Sequence, residues 1–237
     1  MKPYLRIIGD AHGKHSEYVA VADKAKHSIQ VGDMSIHGYG WMKSLDNSRH
    51  RFFGGNHDQY DLINDSPHNL GEYGVYEIPE FGPVFWVRGG FSLDGKIRKA
   101  REWAWGKTWW EQEELSYAEA RKCLDLYEQV KPKMLLSHEC PLNIVSWLTN
   151  PEFVKQFGFT DPIIKTTTNQ LLQEMVEIHP PRIHLFGHFH KAFDKMCDPV
   201  TGNAMPESVE DETPYTRFVC LPELGYMDFP KNYIESL

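Results

Sequence analysis

Five apolar segments of the sequence each end at a side chain that could bind a metal ion, and this recurrence constrains the fold more than any other feature. The segments are YLRIIGD, SIQVGD, RHRFFGGNHD, KMLLSHE and RIHLFGHFH, and each has the composition of a buried β-strand. The helical stretch HSEYVAVADKAKH, with Tyr18, Ala22 and Ala25 on one face, separates the first two. Strands that alternate with helices predict βαβ units and a mainly parallel α/β sheet, whose strands have their carboxyl ends at one edge. We therefore expect the five polar endings to meet there.

The remaining elements continue this pattern. YGVYEIP and PVFWVRGG predict two adjacent strands that form a hairpin. EQEELSYAEARKCLDLYEQVKP predicts the strongest helix, with an apolar face at Tyr117, Ala120, Leu124 and Tyr127 and a proline at its end. TTTNQLLQEMVEIH predicts a second helix, TRFVCLPEL a late strand, and the turn-rich CDPVTGNAMPESVEDETP a loop.

Length and composition predict one globular domain over residues 1–237. The chain has 41% hydrophobic and 24% charged residues, which excludes disordered and collagen-like classes. It has no apolar run long enough for a membrane span, and its first strand begins too close to Met1 for a signal peptide, so we expect a cytoplasmic protein without a membrane partner. The net charge of -8 disfavours long nucleic acid as a partner. Four widely spaced cysteines without a CxxC motif predict free thiols.

The polar strand endings form a donor set for metal ions. Oxygen and imidazole ligands without a thiolate suit Mn, Fe or Zn better than Cu(I) or an iron–sulfur cluster. The number of candidates exceeds one tetrahedral shell, and a carboxylate such as Asp33 can bridge two ions about 3.5 to 4 Å apart, which favours two ions. In FGHFH, alternation along an extended backbone would place His188 and His190 on the same side. The candidate ligands are Asp10, His12, Asp33, Asn56, His138, His188 and His190.

The blocks GDAHG, VGDM, GGNHD, LLSHE and FGHFH stand in the order and spacing of the calcineurin-like metallophosphoesterase superfamily, which this chain resembles from residue 9 to residue 190. The resemblance implies a two-sheet βαβ sandwich flanked by helices. It also implies hydrolysis of phosphate esters by a hydroxide that bridges two metal ions. The resemblance assigns one ion to Asp10, His12 and His190, the other to Asn56, His138 and His188, and the bridging position to Asp33.

The third block carries the expected proton donor. His57 matches the catalytic histidine of the superfamily, and as an imidazolium it would protonate the leaving oxygen, which typically contributes about 10² to 10⁴ in rate. Asn56 and His57 are also expected to contact the substrate. Asp58 is a candidate catalytic residue that would orient the His57 ring, although a turn or helix-cap role is an equal alternative.

The second block departs from the Ser/Thr protein phosphatase branch. That branch has an arginine that binds the substrate phosphate, whereas GDMSIHG has His37 at this position and Ile36 in place of an acid. The segment VRGGFSLDGKIRKAREW offers Arg98 as a replacement contact to the phosphate, with Arg88 and Arg101 nearby. The alternative is an arginine cluster that is merely solvated.

Four tryptophans follow this segment and allow two interpretations. They could stack on nucleic-acid bases, or they could pack in the core or form a lid over the site. The acidic net charge favours packing. The tryptophans are Trp103, Trp105, Trp109 and Trp110.

These features predict a phosphoesterase with two divalent ions, with Mn²⁺ as the first choice and Fe or Zn as alternatives. The expected substrate is a phosphomonoester, which could be a phosphoprotein, a nucleotide or another small metabolite. A phosphodiesterase or nuclease could use the same metals and histidine. A binding module that kept the fold and lost the chemistry is a third possibility, but all seven candidate ligands and His57 are present.

Overall fold

The computed structural model describes residues 2–205 and 215–237, which form two mixed β-sheets and eight α-helices. Residues 206–214, part of the predicted loop CDPVTGNAMPESVEDETP, lie outside the described residues. The strands are β1 Leu5–Ile8, β2 His27–Gln30, β3 His50–Phe52, β4 Tyr73–Ile78, β5 Gly82–Val87, β6 Met134–Ser137, β7 Ile183–Phe186, β8 Phe193–Cys197, β9 Thr216–Cys220 and β10 Tyr226–Phe229. The helices are α1 His15–Ala22, α2 Gly95–Ala100, α3 Glu102–Trp105, α4 Tyr117–Val130, α5 Leu142–Leu148, α6 Pro151–Gln156, α7 Thr167–Ile178 and α8 Tyr233–Ser236.

The first sheet has the strand order β10-β1-β2-β3. Strands β1, β2 and β3 are parallel, and α1 forms the crossover between the first two, as the strand–helix–strand pattern predicts. Strand β10 pairs antiparallel with β1, with Leu5 opposite Phe229.

The second sheet has the strand order β4-β5-β6-β7-β9-β8. Strands β4 and β5 form the predicted antiparallel hairpin, with Tyr73 opposite Val87 and Ile78 opposite Gly82. Strands β5, β6, β7 and β9 are parallel to one another, and β8 pairs antiparallel with β9 at the far edge.

The two sheets pack face to face around one apolar core. Leu5 and Ile29 of the first sheet and Leu136 and Leu185 of the second belong to the same buried cluster. Side chains alternate along a strand, so neighbouring residues point to the outer faces. On the outer face of the second sheet, Leu135 packs in a cluster with residues of α4 and α7. The predicted α/β sandwich flanked by helices is therefore confirmed.

Helix α4 begins later than its sequence pattern predicts. Ser116 is its N-cap and forms a capping box with Glu119, so the helix begins at Tyr117. The prediction that Tyr117 belongs to the buried face is wrong, because this first helical residue is 78% exposed. Cys123 takes its place on the face, which consists of Ala120, Cys123, Leu124 and Tyr127.

The tryptophans do not share one environment. Trp110 is buried, as packing predicts, whereas Trp103 and Trp105 are 89% and 54% exposed. Packing is therefore the wrong prediction for these two, because α3 is a short surface helix with no buried residue. The Arg101 guanidinium lies 4.7 Å from the centre of the Trp105 ring.

All four cysteines are buried and free, as predicted. Among the described residues, none of the helices combines the length and apolar character needed to span a bilayer.

Candidate metal centre

Loops that follow β1, β2, β3, β6 and β7 converge at one edge of the sandwich. The structure brings together all seven candidate ligands there, and they form two groups on either side of Asp33. We call Asp10, His12 and His190 the outer group, and Asn56, His138 and His188 the inner group.

The outer group combines one buried carboxylate with two imidazoles that reach solvent. The Nε2 atom of His190 lies 3.0 Å from Oδ2 of Asp10, and Nε2 of His12 lies 3.6 Å from the same oxygen. The two Nε2 atoms are 2.8 Å apart. With Asp33, these residues offer ligand atoms that all lie within 4.8 Å of one another. Such a spacing allows all four to contact one ion.

The inner group centres on the amide oxygen of Asn56. This Oδ1 atom lies 2.9 Å from Nε2 of His138 and 2.8 Å from Nδ1 of His188. The amide nitrogen of Asn56 donates to Oγ of Ser92 at 2.9 Å, which directs the oxygen toward the two rings.

Asp33 lies between the groups, and each of its carboxylate oxygens faces one of them. Oδ2 is 3.7 Å from Nε2 of His12, and Oδ1 is 3.3 Å from Nε2 of His138. Burial raises the pKa of Asp33, but the neighbouring imidazoles of His138 and His57 outweigh burial and hold the pKa well below its usual range. Asp33 is therefore an anion that can contact two cations at once.

Four of the candidate ligands have a left-handed backbone. The φ angle is 45° at His12, 60° at Asp33, 68° at His188 and 53° at His190. Asp and His enter this region more readily than most residues, and clusters of such conformations are typical of functional sites. The expectation of an extended FGHFH is wrong, because β7 ends at Phe186 and the turn sends His188 to the inner group and His190 to the outer group.

Two glycines of the motifs are required by close packing against the carboxylates. A Cβ atom at Gly187 would overlap Oδ1 of Asp10, and one at Gly55 would overlap Oδ1 of Asp33. The backbone of the loops after β3 and β7 therefore approaches the ligands more closely than any residue with a side chain allows.

The donor set fits metal ions because its ligand atoms meet where the protein favours a positive charge. Nδ1 of His138 lies 2.9 Å from the carbonyl oxygen of Val31, so it carries the proton that this bond requires. Burial lowers the pKa of His138, but the Asp33 carboxylate outweighs burial and raises the pKa to about 10. The site therefore favours a positive charge beside Nε2 of His138 and the amide oxygen of Asn56. A cation between these atoms would satisfy both, and the hydrogen bond to a backbone carbonyl is a common support for a metal-binding histidine.

His57 lies beside both groups and lines a cavity whose wall also includes Asp33, Asn56, His188 and His190. Its backbone nitrogen donates to Oδ1 of Asp33 at 2.6 Å, and its ring centre is 5.5 Å from that of His12. Burial lowers the pKa of His57; the Asp33 carboxylate opposes this shift, whereas the Arg98 guanidinium adds to it.

The structure does not bring Asp58 to the His57 ring. The carboxylate of Asp58 is fully buried and accepts hydrogen bonds from the backbone nitrogens of Ser35 and Gly55, both at 2.8 Å. Its contacts tie the loop after β2 to the loop after β3. This is the turn role that the sequence allows as the alternative to an orienting one.

Arg98 lies behind the site and is 6% exposed. Its guanidinium contacts the carboxylates of Asp94 and Glu113, at 3.0 and 3.1 Å, and donates to the carbonyl of Asn56 at 3.3 Å. One guanidinium nitrogen is 3.5 Å from Nδ1 of His57. This placement favours a role in positioning Asn56 and His57 over direct contact with a phosphate.

Ser92 and Glu113 lie outside the sequence motifs but also support the site. The Ser92 hydroxyl accepts from Asn56 and donates to Glu113 at 2.5 Å, so both residues support the inner group. Ser92 stands in the GGFSLD segment that already drew attention to Arg98, but nothing in the sequence indicates that its hydroxyl meets Asn56.

Comparison with known proteins is consistent with this geometry. A family model described as calcineurin-like phosphoesterase matches residues 5–192, which contain every candidate ligand. No curated protein matches the chain. One solved structure with some similarity is that of GAP50, the anchor in the inner membrane complex of Plasmodium. It is 9% identical, with a TM-score of 0.39 over 97% of this chain and 77% of that one.

Proposed function

Because the chain belongs to the calcineurin-like phosphoesterase family, we propose that it is a hydrolase with two divalent metal ions that cleaves a phosphomonoester. The observation that carries the proposal is the placement of Asp33, whose two carboxylate oxygens face the outer and the inner group. A single ion would need only one of these groups.

The proposed roles of the residues follow from their positions. Asp10, His12 and His190 would hold one ion, Asn56, His138 and His188 the other, and Asp33 both. When bound, the ions would neutralise the charge of the phosphate and would provide a nucleophile at neutral pH. Mn²⁺ is the first choice, with Fe and Zn as alternatives, because the donors are carboxylate and amide oxygens and imidazole nitrogens.

His57 is the proposed general acid. Burial and Arg98 favour its neutral form, but a phosphate anion bound beside the ring would favour the imidazolium. The proton would then be available when the ester oxygen departs. The backbone hydrogen bond to Asp33 fixes the position of His57 relative to both groups.

The proposed substrate class is a phosphomonoester of a small molecule or a protein. The net charge of -8 supports this choice over long nucleic acid, whose binding depends on contacts between phosphates and basic residues. A phosphodiesterase or nuclease could use the same metal site and His57, and the relative rates on a monoester and a diester distinguish the two functions.

The test measures hydrolysis of p-nitrophenyl phosphate and bis-p-nitrophenyl phosphate by protein reconstituted separately with Mn²⁺, Zn²⁺, Fe²⁺ and Mg²⁺. We expect faster turnover of the monoester and about two bound ions per chain. Turnover of the diester alone would contradict the proposed substrate class. Little bound metal and no turnover of either ester would indicate a binding module without catalysis.

A further inference from the structure

A cavity of about 500 Å³ opens directly onto the candidate metal centre. Asp33, Asn56, His57, His188 and His190 form the part of its wall next to the ligand groups. If the substrate phosphate lies at the metal centre, the organic group bonded to it extends into the rest of this cavity. A volume in this range is typical of sites that bind small organic ligands.

The wall away from the metals is apolar. It includes Leu148 of α5, Phe153 and Val154 of α6, and Ile164 of the loop before α7. Leu148 and Val154 are 2% exposed and pack in the protein interior, whereas Phe153 is 49% exposed. Phe91 and Phe189 continue this apolar surface to the ligand loops.

Each charged side chain in this wall, apart from the metal-ligand group, makes at least one contact within the protein. Glu139 accepts from the backbone nitrogen of Phe91 and from the Thr166 hydroxyl, both at 3.3 Å. Asp94 pairs with Arg98 at 3.0 Å, and the Lys191 ammonium donates to a backbone carbonyl of α5. The surface that remains for a ligand is mainly hydrocarbon and aromatic.

We propose that this cavity binds the organic group of the substrate, and that this group is bulky, uncharged and aromatic. The inference rests on the proposed function only for the location of the phosphate. Aromatic rings prefer offset and edge-to-face contacts, and Phe153 already makes an edge-to-face contact with Phe157, another residue of the wall, with 5.1 Å between ring centres. Esters of small hydrophilic alcohols would leave most of the apolar wall in contact with water.

The first experiment measures binding without catalysis. Calorimetry of the full chain without added metal compares 1-naphthol with glycerol, and we expect saturable binding of 1-naphthol alone. Ile164→Trp should fill the cavity and Phe153→Ala should remove an aromatic wall, and each should weaken 1-naphthol binding by roughly tenfold or more. The matched control is Gln156→Trp, which adds the same side chain to an exposed position of α6 and should leave binding unchanged.

The second experiment compares two aryl esters whose leaving groups have similar acidity, and adds glycerol phosphate as an ester of a hydrophilic alcohol. We expect KM for 1-naphthyl phosphate to be roughly tenfold or more below that for phenyl phosphate, with glycerol phosphate the poorest substrate. Ile164→Trp should reduce this preference, and Gln156→Trp should not. A tyrosine-phosphorylated peptide that surpasses both aryl phosphates would assign the aromatic group to a protein substrate, and the reverse order to a small molecule.

The two experiments separate the inference from the proposed function. Binding of 1-naphthol without hydrolysis of any ester would reject the function and keep the cavity as an aromatic site. Hydrolysis of all three esters with equal KM, together with no binding of 1-naphthol, would overturn the inference and leave the function intact.

Discussion

The outer and inner groups contain similar ligands but differ in how the protein supports them. In the outer group, the His190 side chain is 47% exposed and that of His12 is 24% exposed. In the inner group, His138 is fully buried and hydrogen-bonded to Val31, and the Asn56 amide is fixed by Ser92. Rigid, buried ligands lose less freedom when an ion binds.

This difference predicts that the two proposed ions bind with unequal affinity. Hydrogen bonds behind metal ligands commonly change affinity by about 10- to 100-fold, so we expect the inner group to hold its ion more tightly. The exposed outer group would exchange its ion more easily. Asp33 contacts both groups and would couple their two ions.

Replacement of Asp33 by asparagine should have the largest effect, because it removes the negative charge that faces both groups. Neither group would then hold its ion, and the difference in affinity between the groups would disappear. We expect loss of both ions and a fall in turnover of more than roughly 10⁴, beyond the effect of losing one general acid. Metal analysis and p-nitrophenyl phosphate kinetics measure the two effects. Asp125→Asn on the exposed face of α4 is the control. Retention of two ions by Asp33→Asn would rule out the bridging role.

His57→Ala should separate catalysis from metal binding in both groups. We expect turnover to fall by about 10² to 10⁴ while both ions remain, because the His57 ring holds neither ion in the proposed site. The loss should be greater for an ester with a poor leaving group, which needs the proton more. His179→Ala, at a half-buried histidine that follows α7 and lines no part of the cavity, is the control. Equal loss for good and poor leaving groups would contradict the acid role.

His190→Ala should distinguish the groups directly. We expect the variant to lose the outer ion, retain the inner one, and lose activity by a factor smaller than in Asp33→Asn. His138→Ala is the matched comparison, because it removes one imidazole from the buried inner group. Titration of the metal-free variants with Mn²⁺ measures how many ions each binds. Loss of both ions in His190→Ala would show that the groups do not bind independently.

The positions of the ligands could be predicted from the sequence because they depend on simple topology. Asp10, Asp33 and Asn56 follow parallel strands of one sheet, and His138 and His188 follow parallel strands of the other. Parallel strands carry their following loops to the same edge, so a correct strand assignment is sufficient. The family resemblance supplied the division into two groups, which spacing alone does not contain.

Other features of the site depend on contacts between distant loops. Ser92 and Glu113 meet Asn56 only because the long segment after β5 folds back over the loop after β3. The alternation of polar and apolar residues does not predict the left-handed turns at His188 and His190. The edge strands β8 and β10 were not predicted, since FDKMC and YMDF are short and half polar. Helices α5 and α6, which build the apolar cavity, were not predicted either.

Ser92→Ala tests the cause of the difference between the groups with the smallest expected effect. The hydroxyl holds the amide of Asn56 from behind and contacts no proposed ion, so its removal should weaken the inner ion by about 10- to 100-fold and leave the outer ion unaffected. The Mn²⁺ affinities of the two groups would then become more similar, and calorimetric titration can measure both affinities. Ser146→Ala, at an exposed position of α5, controls for loss of a hydroxyl. If Ser92→Ala leaves both affinities unchanged, burial of His138 and not the hydrogen bond to Asn56 accounts for the tighter inner group.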